Sequence, residues 1–183
     1  MSIFTNSAAR SSEEAGEYTK ALLGLLGDRD PMQVLRETPA AIRAILDGVP
    51  ANLAMTPEEP GKWSIAMVAQ HLADSDLVWG WRVRMIIAHD RPAITGYDQD
   101  AWATRLRYAE APLEPALADF EAVRGANLRL LARVPESDRQ RFGMHAERGE
   151  ESVAHMIRMS AGHDILHIRQ IERVSSGHGS LLF

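Results

Sequence analysis

Two histidines four residues apart, His163 and His167, are the residues of this sequence best suited to chemistry. On an α-helix, side chains at this spacing lie one turn apart on the same face, where two imidazoles can bind one metal ion. Val153, Met156 and Ile157 belong to an apolar stripe that contains or borders both histidines. Two core histidines bonded to polar neighbours would give the same pattern, so both interpretations stay open.

A third histidine, His71, lies in a segment that is apolar on two sides. A single histidine in such a helix is more often a core residue than a ligand. Together with His163 and His167, it would complete a set of three neutral imidazoles. Three histidines with an open coordination position are typical of a catalytic zinc or nickel site, because imidazole binds both metals.

Two acidic residues are close to these histidines in the sequence. Asp164 follows His163 directly, and Asp74 comes three residues after His71. Either carboxylate could accept a hydrogen bond from an imidazole and so orient it towards a metal. Neither is assigned as a general base.

The segment ahead of the last predicted helix carries three polar residues, His145, Glu147 and Arg148. If this loop folds over the histidines, these side chains would contact a substrate. A solvated loop with local ion pairs is the alternative interpretation. The catalytic residues are therefore left unassigned.

Glycines and prolines divide the chain into the elements that must position these side chains. Ser64 is a plausible N-cap, and Pro39 is expected to break or bend the helix that contains it. The predicted helices cover residues 13–26, 31–48, 64–89, 100–107, 113–134 and 150–175.

The same pattern predicts the fold class. No segment shows sustained period-two alternation between hairpin turns, so no sheet of consequence is expected, and residues 135–149 are expected to be irregular. Long helices joined by long connections predict an all-α fold, a four-helix bundle in which two connections can cross over.

The composition excludes several classes of protein. The chain of 183 residues has no cysteine, which excludes a disulfide scaffold, an iron–sulfur cluster, a Cys-ligated zinc ribbon and a cysteine nucleophile. Its net charge of −5 gives no sign of the basic face that a nucleic-acid-binding protein needs. No apolar run reaches the length of a signal peptide or a membrane span, so a cytoplasmic protein without membrane contact is expected.

The length predicts a single domain over residues 1–183, with a core at about 15–175 and frayed N- and C-terminal ends. The helix at 64–89 has two apolar sides, which leave surface to be covered. A homodimer is therefore expected.

Five short motifs, in this order and spacing, resemble the DinB/YfiT-like superfamily of metalloenzymes. They are KWS at 62–64, AQHLAD at 69–74, GYDQDAW at 96–102, HAERG at 145–149 and AGHDILH at 161–167, the last followed by Gln170 and Ile171. The resemblance implies a four-helix bundle with up-down-down-up connectivity. It also implies a divalent metal ion on His71, His163 and His167.

Members of that family with known activity are thiol-dependent transferases and isomerases, so the resemblance implies a small-molecule substrate and a low-molecular-weight thiol as partner. Since this chain has no cysteine, any thiol must come from a cosubstrate. The chemistry of a three-histidine site allows a metal-dependent hydrolase equally well. Two alternatives remain: a bundle with a structural metal or a small-ligand pocket, and a metal-free bundle that acts through protein contacts.

Overall fold

The computed structural model describes residues 12–179 of the chain. Residues 1–11 and 180–183, where the sequence predicts frayed ends, lie outside the described residues. Within the described range the chain forms seven α-helices: α1 (Ser12–Leu26), α2 (Pro31–Leu46), α3 (Ala51–Ala54), α4 (Ile65–Ala88), α5 (Gln99–Arg105), α6 (Leu113–Arg133) and α7 (Val153–Gly179). No helix in this part of the chain is long and apolar enough to cross a membrane.

Two of the long helices begin where the sequence supplies an N-cap. The Asp30 carboxylate accepts a hydrogen bond from the backbone N–H two residues later at 2.9 Å, directly ahead of Pro31 at the start of α2. The Ser64 hydroxyl accepts one from the N–H three residues later at 3.3 Å, ahead of α4. The predicted starts of α2 and α4 are therefore confirmed.

Helix α2 continues through Pro39, so this residue does not break it. Proline has no N–H to donate to the carbonyl four residues earlier, which is that of Leu35. Arg124 of α6 donates to this carbonyl instead, with Nη1 2.9 Å from the oxygen. A neighbouring helix therefore satisfies a buried acceptor that the proline leaves without its usual partner.

Helices α2, α4, α6 and α7 form the predicted four-helix bundle. Helices α4 and α6 run parallel, because Asp76 contacts Arg124 and, further along both helices, Arg84 contacts Asn127. Helix α2 is antiparallel to α6, since the Leu35 carbonyl accepts from Arg124 while the later residue of α2, Arg43, pairs with the earlier residue of α6, Glu121.

The direction of α7 completes the connectivity. The Trp79 indole N–H donates to the Met156 carbonyl at 3.1 Å, and the earlier residue of α4, His71, contacts the later residue of α7, His163, so the two helices are antiparallel. The four helices therefore run up, down, down and up in chain order. The fold class expected from the sequence is confirmed.

A small three-stranded sheet lies beside the bundle, where no sheet of consequence is expected from the sequence. Strand β1 (Ala93–Ile94) pairs parallel with β2 (Phe142–His145), and β2 pairs antiparallel with β3 (Gly149–Ser152). The expectation of irregular structure throughout 135–149 is therefore wrong for β2, and the helix expected from residue 150 begins only after β3, at Val153. Strands of two to four residues are too short to show alternation, and β1 is distant from β2 in the sequence.

A polar layer divides the interior into two apolar clusters. One cluster contains Trp79, Val83 and Ile86 of α4, and the other contains Val68 and Leu72 of the same helix. Between these clusters, α4 carries the carboxylate of Asp76, which is 2% exposed. His71, on the same helix, is 1% exposed and lies at the edge of this polar layer. Buried polar groups need partners within the protein, and these side chains find them on α6 and α7.

Helix α1 packs closely against α7 at a glycine. A β-carbon on Gly162 would lie 2.2 Å from the backbone oxygen of Leu22, so no other residue type fits between the two helices without displacement. On the outside of α4, the large side chains of Leu77 and Trp81 are 57% and 62% exposed. These residues are four positions apart and so lie on one face of α4. The homodimer expected from the apolar sides of this helix stays a prediction.

Candidate metal centre

The structure brings His71, His163 and His167 together in the polar layer. His71 comes from α4, and the other two lie one turn apart on α7. The Nε2 atom of His163 is 3.0 Å from Nε2 of His71 and 3.1 Å from Nε2 of His167. One nitrogen from each ring lies within 4.8 Å of those of the other two. Three Nε2 atoms therefore face a common point.

The spacing of these nitrogens fits a divalent cation. Zinc-to-imidazole bonds are about 2.0–2.1 Å long, which places two neighbouring nitrogens on one ion about 2.8–3.4 Å apart in octahedral or tetrahedral geometry. The two separations that involve His163, 3.0 and 3.1 Å, lie in that range. Among the side chains that the structure describes, these three histidines form a group whose donor atoms could hold a metal ion.

The environment keeps all three imidazoles neutral, which is the form that binds a metal. Burial lowers the pKa of His71 and His163 well below the usual value of 6.5, and the neighbouring imidazoles add to this effect. Burial also lowers the pKa of His167, to about 4, although its hydrogen bond with Gln170 opposes the shift. At pH 7 each ring therefore has a free lone pair.

These lowered pKa values predict how the metal-free protein responds to acid. His167 takes up a proton near pH 6.5 in the unfolded chain and only near pH 4 in the folded one, so the free energy of unfolding falls as the pH drops below about 6.5. For His167 alone, the free energy of unfolding should fall by an amount on the order of 2 kcal/mol between pH 7.5 and pH 5. Urea unfolding at both pH values, with chelator present, measures it. A His167→Gln variant should show a smaller pH effect, and an equal effect would contradict the assignment.

A glutamine orients His167. The Nδ1 atom of His167 is 2.9 Å from Oε1 of Gln170, an acceptor, so Nδ1 carries the proton and donates it. The lone pair of the ring is then on Nε2, the atom that faces the other histidines. Gln170 therefore orients the imidazole of His167, the task that was expected of the Asp74 or Asp164 carboxylate.

The two acidic residues proposed as orienting groups contact other side chains instead. Asp74 accepts a hydrogen bond from the Tyr108 hydroxyl at 2.5 Å. Asp164 accepts two from Arg124, at 2.6 and 2.9 Å. Neither carboxylate has a hydrogen bond to a histidine within the described part of the chain.

Asp164 belongs to a buried ionic triad that the sequence analysis missed. Arg124 binds Asp76 with two hydrogen bonds, at 2.7 and 2.9 Å, and binds Asp164 with two more. All three side chains are at most 3% exposed. The triad acts on the histidines in both directions: Arg124 helps to lower the pKa of His163, whereas Asp164 opposes the lowering of the pKa of His167.

A cavity of about 120 Å³ reaches the histidines from the protein surface, with His163 in its wall. Two hydroxyl groups of the cavity wall lie near the cluster: Ser75 Oγ is 3.3 Å from Nε2 of His71 and 3.0 Å from the Tyr97 hydroxyl. Burial raises the pKa of Tyr97, so its hydroxyl stays protonated and can donate a hydrogen bond. Sequence reasoning did not assign a role to Ser75 or Tyr97.

The segment that carries His145, Glu147 and Arg148 lies over the cavity because β2 and β3 form a hairpin. Glu147 and Arg148 line the cavity, and Arg148 forms an ion pair with Glu151. The local ion pair expected of a solvated loop is therefore present, but Arg148 is partly buried and Glu151 is buried. His145 itself is only 3% exposed, and its Nδ1 accepts a hydrogen bond from the Glu147 N–H at 3.2 Å.

Comparison with protein families identifies one match over most of the chain. A family model described as the DinB superfamily matches residues 35–171. This range contains all three clustered histidines, the triad and the hairpin over the cavity.

Several individual proteins are also similar. A "Putative metal-dependent hydrolase" of Geobacillus thermodenitrificans is 33% identical over 108 residues, which are 59% of this chain and 61% of that protein. The "Putative metal-dependent hydrolase YfiT" of Bacillus subtilis is 27% identical over 146 residues, 78% of this chain and 82% of that one. A solved structure of Bacillus subtilis YfiT, described as a probable metal-dependent hydrolase with an unusual four-helix bundle topology, matches with a TM-score of 0.74 and 25% identity, over 81% of this chain and 86% of the other.

Proposed function

This chain belongs to the DinB superfamily, and on that premise we propose that it is a metal-dependent hydrolase of a small-molecule substrate, with one divalent cation held by His71, His163 and His167. Zinc and nickel are the proposed ions, since both accept imidazole ligands. A cation on three neutral imidazoles supplies a water activated near neutral pH. The names of the relatives from Geobacillus and Bacillus subtilis support hydrolysis.

One observation carries this proposal: the cluster has three protein donors, and a cavity opens onto it. A structural metal site usually has four protein ligands, whereas a catalytic site keeps one position for water or substrate. Within the described residues, the donor group consists of the three histidines alone. Neither Asp74, which bonds to Tyr108, nor Glu147 is part of the group.

The residues around the cavity have separate tasks in this proposal. His163 lies in the cavity wall, so a substrate there is next to the cluster. The Tyr97 hydroxyl, kept protonated by burial, donates a hydrogen bond to a substrate oxygen and so favours the build-up of negative charge on it. Ser75 holds that hydroxyl in place through its 3.0 Å contact.

Removal of the metal should abolish activity and leave the bundle folded. The apolar clusters on both sides of the polar layer do not depend on an ion, so helical circular dichroism should persist after chelation. Activity against a panel of chromogenic esters, amides and phosphoesters should return with one equivalent of zinc or nickel. Collapse of the helical signal on chelation would instead indicate a structural metal.

The same experiment separates hydrolysis from the thiol-dependent transfer that the family resemblance implies. Each substrate is tested in buffer alone and with a low-molecular-weight thiol, and elemental analysis gives the metal content. Turnover in buffer alone supports the hydrolase. Turnover that requires the thiol would overturn it in favour of a transferase, and equal turnover by stripped and loaded protein would overturn metal dependence.

A further inference from the structure

The cavity contains an arginine without an ionic partner. Arg82 lies in the same cavity wall as His163 and is partly buried. Its Nη2 donates to the Thr95 carbonyl at 2.6 Å, and its guanidinium carbon lies 6.0 Å from the centre of the Tyr97 ring. Within the described residues, no carboxylate lies within 4.0 Å of it.

The carboxylates near Arg82 do not pair with it. Glu151 is bound by Arg148 through two hydrogen bonds. Glu147 lines the same cavity, and its side chain lies against the backbone of Gly96, where a β-carbon would be 3.0 Å from Oε1. A guanidinium has five N–H donors, and one of those of Arg82 has a protein acceptor, so the others are free to bind an anion.

One part of the cavity wall is apolar. Val78 and Trp79 of α4 and Met156 and Met159 of α7 line this part of the cavity. Trp79 lies opposite Met156, seven residues and about 10 Å along α7 from His163. The guanidinium of Arg82 lies near Tyr97, whose hydroxyl contacts Ser75, and Ser75 in turn contacts His71.

We propose that this cavity binds a small molecule with an apolar body and a carboxylate at one end, with Arg82 as the residue that binds the carboxylate. The apolar body lies along Val78, Trp79 and the two methionines. The opposite end of the ligand then lies at the three histidines. This inference deepens the proposed function by naming the substrate class of the same site.

A pair of probes of equal shape and different charge tests this. Hexanoate and its neutral counterpart hexanamide are titrated into the metal-stripped protein by calorimetry, in low salt. Hexanoate should bind about tenfold or more tightly than hexanamide, because a charge-assisted hydrogen bond is stronger than a neutral one. Equal binding of the two probes would overturn the proposal without any variant.

Variants then assign the preference to one side chain. Arg82→Gln should remove the preference for hexanoate, and Arg82→Lys should restore part of it. Arg158→Gln, at an exposed position on α7, is the matched control and should keep the preference. A preference that persists in Arg82→Gln, at unchanged helical content, would overturn the role of Arg82.

Repeating the titrations with metal-loaded protein separates this inference from the proposed function. If stripped wild-type protein prefers hexanoate and stripped Arg82→Gln does not, the carboxylate site stands even if no metal-dependent activity is found. If only loaded protein prefers hexanoate, and Arg82→Gln keeps that preference, the carboxylate binds the cation. That result would overturn the Arg82 site and leave the metal centre intact.

Discussion

His167→Ala should lower the affinity of the protein for zinc or nickel by more than about 100-fold, because loss of an outer hydrogen-bonding partner alone costs about 10–100-fold. The variant removes one of the three nitrogens that face a common point, and no other histidine or acidic donor within the described residues belongs to the group. Alanine keeps the helix propensity of α7, so the helical circular dichroism should change little. Competition with a chromogenic chelator measures the affinity.

Two further variants make this test quantitative. Gln170→Ala removes the acceptor that orients His167 and should cost about 10–100-fold in affinity, less than loss of the ligand itself. His155→Ala, on the same helix and outside the cluster, should leave the affinity unchanged. If His155→Ala loses metal as fully as His167→Ala, the three-histidine site is wrong.

The helices could be predicted because their ends are encoded locally. The residues that set these ends act within one turn of the helix that they cap or stop. They are Asp30 with Pro31 at the start of α2, Ser64 before α4 and Pro135 after α6. The pairing of His163 and His167 is also local, since four residues on one helix fix their relative position. His71 comes close to His163 and His167 because α4 packs antiparallel on α7. The family resemblance implied this topology.

The sheet and the cavity depend on contacts between distant segments. Strand β1 has two residues and pairs with a strand about fifty residues later, so no local pattern distinguishes it from a loop. The contribution of Arg82 to the cavity depends on where β1 and the hairpin place Thr95 and Glu147. These positions follow from the fold and cannot be read from the spacing of residues on one helix.

The buried triad left a signal in the sequence that was not used. In α6 the positions Leu117, Phe120, Arg124, Asn127 and Leu131 recur every three or four residues, which places an arginine on the apolar face of the helix. An arginine there must find a buried anion. Its partners, however, lie on two other helices, so a helical wheel predicts the need for a carboxylate and not its identity.

Replacement of Arg124 by methionine should destabilise the protein by about 3–5 kcal/mol, since it leaves two buried carboxylates without their cation. It also removes the donor to the Leu35 carbonyl, which Pro39 cannot replace. Arg43→Met is the matched control: Arg43 also bridges two carboxylates, but its side chain is 37% exposed. Surface pairs contribute about 0–1 kcal/mol, so this variant should lose little. Urea unfolding at pH 7.5 compares the two.

The cause of that loss can be separated from simple loss of packing by its dependence on pH. Burial already raises the pKa of Asp76 to about 6 against the opposing effect of Arg124, so without the arginine Asp76 takes up a proton more readily in the folded state. The folded variant then binds more protons than the unfolded chain, and its stability relative to wild type should recover as the pH falls from 8 towards 5. A deficit that is constant over this range would indicate lost packing rather than unpaired charge. A deficit no larger than that of Arg43→Met would show that the triad contributes little to the stability of the bundle.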